Sequence, residues 1–459
     1  MGYRLGVSKH SRKRATSGFL GQLEIYRRVI LLISTITFFV LRLLQFLFAG
    51  QYPATYPDSG TYRVEGGAWL DFSLVGAQAR PTIVTAFFAL LPDDSTRVLV
   101  QWLISTFAWL VLLSGAALIF QKLWVTFLAT LGVWSVGLSF YVLQWDSTIL
   151  SESLSISTSV LGIGLLVWWW ATKKNWIAIL AIVSFGLTAL NRPNLWVVLA
   201  GLLIILLLLA KNVGLSGLVK WLAVGLTVVF LIAGLAQQKI NDANFAGDDG
   251  LDRIGWSYAS MLSDESPLAS QLIPSLIGSG IPNCMIPQKP FVSEDGPINI
   301  VVGLQNSCPK GVRWVNENFL FWYIGFLASD PQRTLTALGD LVGPSSQALP
   351  YGFDSKIEPP QALKNLFAIQ DPGSLWTLLV VSLTAAGVSL LASRRIRQTY
   401  VLFGLVIMEL AFIVSWASGV LLQVWDLHRT IVTNVVALNV LAILVIAAAI
   451  DNVLNKKGS

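Results

Sequence analysis

Residues 27–50 read RRVILLISTITFFVLRLLQFLFAG. Two arginines are followed by an apolar run, Val29 to Ala49, of about 20 residues, the length that crosses a hydrocarbon core. The run follows a basic segment and has no small-residue cleavage site before the polar stretch beyond it. It is predicted to be a retained first membrane helix rather than a removed signal peptide. The basic residues ahead of it are predicted to hold the amino end in the cytoplasm. Read outward from this helix, the chain is an all-α polytopic membrane protein.

Composition supports that reading. Of 459 residues 54% are hydrophobic and 12% are charged, whereas a soluble domain carries roughly 25% charged residues. The net charge of +6 does not form a basic face. It falls in short clusters beside apolar runs: Arg4 to Arg14, Arg27-Arg28, Lys173-Lys174, Arg394 to Arg397 and Lys456-Lys457. That is the positive-inside pattern, and it argues against nucleic acid as a partner.

Apolar runs predict a bundle of about ten transmembrane helices, near 29–49, 97–120, 124–142, 151–170, 176–190, 195–210, 220–237, 374–392, 399–422 and 431–450. Threaded this way, the clusters Gln121-Lys122, Lys173-Lys174, Lys211 with Lys220, Arg394 to Arg397 and Lys456-Lys457 all fall on the cytoplasmic side. A single miscounted helix would scatter them. The organisation expected is a basic cytoplasmic segment (1–28), a transmembrane core (29–237) with its first outer loop at 50–96, a long extracytoplasmic loop (238–373), and C-terminal helices with a short cytoplasmic tail (374–459). Both termini are then cytoplasmic, and a plasma membrane suits the short inner loops.

The long loop holds both cysteines, Cys284 and Cys308. A disulfide with a stapling role is expected, against the alternative of two buried thiols. Asn316 to Ala328 (NENFLFWYIGFLA) is aromatic and amphipathic, suited to the headgroup layer or to dipping back into the bundle.

Polar residues without an anchoring role collect on the outer face. The first loop contains PDSGTY, in which Asp58 is placed to cap a short helix, with Tyr62 and Glu65 on the following turns. Arg80-Pro81 then opens an apolar segment, with Pro81 suited to a first helical turn. Trp145-Asp146-Ser147 precedes Leu150-Ser151-Glu152-Ser153-Leu154. An apolar helix continues directly from Glu152, so this carboxylate is expected to face protein or a water-filled cavity. Asn191-Arg192-Pro193-Asn194 places an arginine on a short outer turn, against the topological bias. It is either an anion ligand or a side chain snorkelling to the interface. Trp425-Asp426-Leu427-His428-Arg429 adds a second outer arginine and a histidine. One histidine without a ligand partner at metal spacing argues against zinc. The acidic run Asp248-Asp249-Gly250-Leu251-Asp252-Arg253 has the charge to hold a divalent ion, but short acidic turns are common, so no cofactor or metal is expected. Arg42 and Glu409 lie inside predicted helices, where they either pair with each other or Arg42 reaches outward.

The order of these motifs resembles the GT-C superfamily of membrane glycosyltransferases, in particular the branch of protein O-mannosyltransferases and bacterial lipid A aminoarabinose transferases. The likeness is carried by PDSGTY, ARPTIVTAFFALL, LSESL and NRPN, in that order over roughly the first 200 residues, with Asp-Leu-His-Arg near the end. The acidic pair of those families stands here as Asp58-Ser59, with a single carboxylate. The resemblance implies inverting transfer of a sugar from a polyprenyl-phosphate donor to an extracytoplasmic glycan, lipid or protein acceptor. It makes Asp58 the general base, Arg192, His428 and Arg429 the donor-phosphate ligands, and Tyr62, Glu65, Arg80 and Glu152 substrate-binding residues. The leaving phosphate departs as a stable anion, so a base and charge stabilisation suffice. The alternatives are a multi-pass transporter or lipid flippase, which the crowding of ionisable groups on one face disfavours, and an O-antigen ligase or polymerase.

Overall fold

Helix follows helix along the chain. In the computed structural model the described residues are 29, 31–54, 59, 81–209, 215, 217–246, 251, 253–292, 297–346, 372–392, 396–422 and 427–456. Within them run α1 (Leu31–Phe48), α2 (Thr82–Ala89), α3 (Asp94–Ile119), α4 (Leu123–Gly137), α5 (Phe140–Ser147), α6 (Ser151–Thr172), α7 (Asn175–Asn191), α8 (Trp196–Leu209) and α9 (Gly217–Ala246). There follow α10 (Arg253–Met261), α11 (Ala269–Leu276), α12 (Pro297–Ser307), α13 (Pro309–Trp314), α14 (Leu320–Ser329), α15 (Pro331–Ser346), α16 (Pro372–Ala392), α17 (Ile396–Leu422) and α18 (Leu427–Lys456). The described residues contain no strand, only isolated parallel bridges joining Ala54 to Thr148 and Ser263 to Phe291.

A helix lies at each of the ten positions that the sequence predicts. Among the described residues six helices are long and apolar enough to cross a membrane, or seven if the bent pair α4–α5 is one span. The shorter apolar helices are Asn175–Asn191, Trp196–Leu209 and Leu375–Leu391. The interval 238–373 is more ordered than a loop: α9 continues to Ala246, and α10 to α15 occupy much of the rest. Its Pro and Gly residues punctuate short helices. Pro309 opens α13 immediately after Cys308, and Asp330 accepts from Arg333 N at 3.0 Å at the start of α15.

Local signals set the ends. Asp93 caps α3, accepting from Thr96 N at 2.9 Å and from Thr96 Oγ1 at 2.8 Å, which satisfies an orphan first-turn donor. Ser139 accepts from Val142 N and restarts the chain after α4, where the axis turns by 46° into α5. Lys173 ends α6 at φ 60°, the left-handed cap conformation. At the far end of the bundle Asp451 of α18 accepts from Gln121 N and Lys122 N at 3.0 and 2.9 Å. It thereby caps the start of α4 from another helix.

The packing core is α3 against α6, α6 against α7, and α18 against α4, α6, α16 and α17. α18 is its axis, with 89% of its apolar window buried, against 17% for α1 and for α9. α1 and α9 therefore turn most of their apolar surface outward, which lipid permits and water does not. The α3–α6 crossing is close: a Cβ on Gly164 would lie 2.7 Å from Leu112 N, and one on Gly115 would lie 2.8 Å from Gly164 O. Small residues at a crossing let two backbones approach in this way.

Cys284 and Cys308 lie at disulfide distance, S–S 1.97 Å and Cα–Cα 5.6 Å. The aromatic stretch 316–328 forms part of a π-turn (Val315–Phe319) and α14. Its Tyr323 is enclosed and donates to Leu421 O at 2.9 Å, so this residue packs onto the end of α17.

Candidate functional site

The start of α6 is where buried charge collects. Glu152, on its first turn, is fully enclosed. Its Oε1 is paired with Arg192 Nη2, and its Oε2 accepts from Ser151 Oγ at 3.2 Å. Arg192 follows the last residue of α7 and precedes the short 3-10 turn Pro193–Leu195. Its side chain keeps 17% exposure while that of Glu152 has none. Glu152 was expected to face protein or a water-filled cavity, and it is enclosed. Arg192 is held by a carboxylate, so snorkelling alone does not describe it.

A second buried pair lies beside it. Arg42, inside α1, donates to Asp146 Oδ2 at 2.5 Å, to Ser105 Oγ at 2.9 Å and to Gly137 O at 3.3 Å. Asp146 Oδ1 accepts from Ser153 Oγ at 3.1 Å, one residue along α6 from Glu152. Gln101 of α3 donates to Asp146 O at 3.2 Å and to Thr148 O at 2.9 Å. Gln45 of α1 donates to Leu138 O at 2.6 Å, at the bend. The bent segment α4–α5 is thus fastened by side chains of α1, α3 and α6. Arg42 does not meet Glu409, whose Oε1 lies 2.5 Å from Ser382 Oγ instead. The correction has a plain cause, because the bend carries Asp146 into the bundle where Arg42 reaches it.

The chain after α1 is tied to the same place. Ala54 N donates to Ser147 O at 2.8 Å, Ile149 N donates to Ala54 O at 3.1 Å, and Ser59 Oγ donates to Ile149 O at 3.0 Å. Ala54 and Ser59 therefore lie along residues 147–149, directly before α6. Beyond it, Pro81 stands as the N-cap of α2, close to its expected place in a first turn.

Asp58, Tyr62, Glu65 and Arg80 lie outside the described residues, as do Asp248 to Gly250 and Asp252. His428 and Arg429 are on the first turn of α18, and their side chains lie outside the described residues. The structure thus brings Glu152 and Arg192 together and adds Asp146, Ser153 and Arg42, which the sequence singles out without giving them a role, and Gln101, which it does not mark. The available signal was the charge itself: an ionisable residue within an apolar span needs a partner. Both amide atoms of Gln144 and the Oδ1 of Asn191 are enclosed and find no hydrogen-bond partner among the described residues. Among the described residues no group of three or more His, Cys, Asp or Glu is arranged to hold a metal.

Comparison of the chain with known protein families, with curated proteins and with solved structures finds no match.

Proposed function

We propose that this chain is an integral membrane glycosyltransferase that moves a sugar from a polyprenyl-phosphate donor to an acceptor on the extracytoplasmic face, with inversion and with Asp58 as general base. The reading includes about ten crossings, cytoplasmic termini in a plasma membrane, and an outer 238–373 segment stapled by Cys284–Cys308. The observation that carries it is the attachment of the first outer segment, through Ala54 and Ser59, to residues 147–149, beside the Glu152–Arg192 pair. Asp58 is the chain neighbour of Ser59. An inverting displacement needs a base on the acceptor side and cationic donors for the leaving phosphate, and this arrangement supports both.

Glu152 orients the Arg192 guanidinium, whose fork suits phosphate oxygens. His428 and Arg429, at the start of α18, are the further phosphate ligands. The amide of Gln144 and Asn191 Oδ1 offer donors and an acceptor to sugar hydroxyls. Asp58 takes the proton of the acceptor hydroxyl as its oxygen attacks the anomeric carbon, and the phosphate leaves without a general acid.

The test is turnover of the purified full chain with polyprenyl-phosphate sugars, read as release of free polyprenyl phosphate. Release that is lost in Asp58→Asn supports the proposal. Release that persists in Asp58→Asn removes that residue as base. No binding of any such lipid, with solute flux in liposomes, replaces the proposal with transport.

A further inference from the structure

Glu409 stands midway along α17, fully enclosed, and among the described residues it forms no ion pair. In this it differs from Asp146 and Glu152, each of which faces an arginine. The elements packed against α17 are α8, α10, α15, α16, α18 and the turn Pro193–Leu195. α8, α16 and that turn contain no titratable residue. Tyr258 of α10 donates to Met285 O, Arg333 of α15 donates to Phe326 O, and Asp451 of α18 accepts from the start of α4. Asp340 lines an open groove with Gln271 and Asp330. On α17 itself Tyr400 is nine positions away in sequence. Arg253, His428, Arg429, Lys456 and Arg397 complete the charged or titratable groups on these helices, with side chains outside the described residues.

The hydrogen bonds around Ser382 bear on the state of the carboxyl group. Ser382 Oγ lies 2.5 Å from Glu409 Oε1 and 2.8 Å from Leu379 O. Both are hydrogen-bond distances between oxygens. A hydroxyl has one proton, which it shares between the two oxygens or gives to one of them. A proton on Glu409 gives each contact a donor of its own. Were the carboxyl ionised, its charge would sit in an apolar bundle with Ser382 as its one hydrogen-bond partner among the described residues, which is costlier than a neutral acid.

We propose that Glu409 and Ser382 form a proton-binding site inside the bundle, in which the Glu409 carboxylic acid donates to Ser382 Oγ and Ser382 donates to Leu379 O. The site joins α16 to α17. Ser415, further along α17, donates to Asn194 O at 3.4 Å, so this joint and the Asn191–Asn194 turn share one helix. Loss of the proton would leave two acceptors facing a single donor and loosen the joint. This inference does not depend on the glycosyltransferase reading.

The experiment is infrared spectroscopy of the full chain in lipid nanodiscs at neutral pH, in the carbonyl-stretch region of protonated carboxyl groups. Glu409→Gln, which keeps shape and a donor, is expected to remove one such band while thermal unfolding stays at the wild-type temperature. Loss of an ionised-carboxylate band instead overturns the proposal. If Glu409→Gln fails to fold, Ser382→Ala decides. A shift of the protonated band to higher frequency supports the site, and an unmoved spectrum overturns it.

Discussion

Arg42 donates to Asp146 Oδ2 at 2.5 Å across 104 residues of chain, and both side chains are enclosed, at 0% and 2% exposure. The pair joins the first helix to the end of the bent segment α4–α5. Removing one member leaves the other charge buried and uncompensated, at a cost of about 3–5 kcal/mol. Arg42→Met and Asp146→Asn are each expected to lower the unfolding temperature strongly in detergent. The double variant is expected to be more stable than the sum of the two losses implies. Additive losses would show that the two side chains do not interact.

The Glu152–Arg192 pair predicts an asymmetry. Arg192→Ala removes the cation beside a carboxylate that has no exposure, whereas Glu152→Gln removes the anion beside a guanidinium that retains 17%. The first is expected to cost about 3–5 kcal/mol and the second about 1–2 kcal/mol. Chemical unfolding of the two variants checks the order, and the reverse order would mean that the pair is not enclosed as described.

The α3–α6 crossing predicts opposite outcomes for glycine replacement. Gly115→Ala and Gly164→Ala place a Cβ against the facing backbone, at 2.8 Å and 2.7 Å, and are expected to cost about 1–3 kcal/mol. A Cβ on Gly225 of α9 meets nothing within 4 Å. Gly225→Ala is therefore expected to be neutral or to stabilise by up to about 1 kcal/mol through helix propensity. Thermal unfolding of the three variants is the measurement.

Tyr258 predicts an alkaline effect. Its hydroxyl donates to Met285 O at 2.6 Å, and burial pushes the phenol up from its ordinary value. The folded state thus favours the neutral phenol. That contribution is complete below the unfolded value of about 10, and is lost as pH rises through the higher folded value. Tyr258→Phe is expected to cost about 1 kcal/mol near neutrality and to flatten the loss of stability above about pH 10. An unchanged alkaline limb in Tyr258→Phe would show that this phenol is not what titrates there.

Much of the helix pattern was legible in the chain. The runs near 151–170 and 431–450 are apolar enough to mark α6 and α18 by composition alone. The bend at Ser139 was not, because a run of apolar residues carries no sign of where its axis turns. The helices between 253 and 346 were also missed, since short helices separated by proline and glycine resemble a loop in sequence. At the candidate site Glu152 was readable as enclosed because an apolar helix continues from it. Its contact with Arg192, 40 residues on, was not.

By itself the sequence determined the class of solvent and the helical positions. Those properties are summed over neighbouring residues and need no knowledge of what they touch. The tertiary structure alone decided which charge meets which. Arg42 had Glu409 as a partner in view, and the bend of α4–α5 gave it Asp146, leaving Glu409 to Ser382. A charge in an apolar bundle requires a partner, but the partner is selected by how helices far apart in the chain pack, and that selection is written in three dimensions.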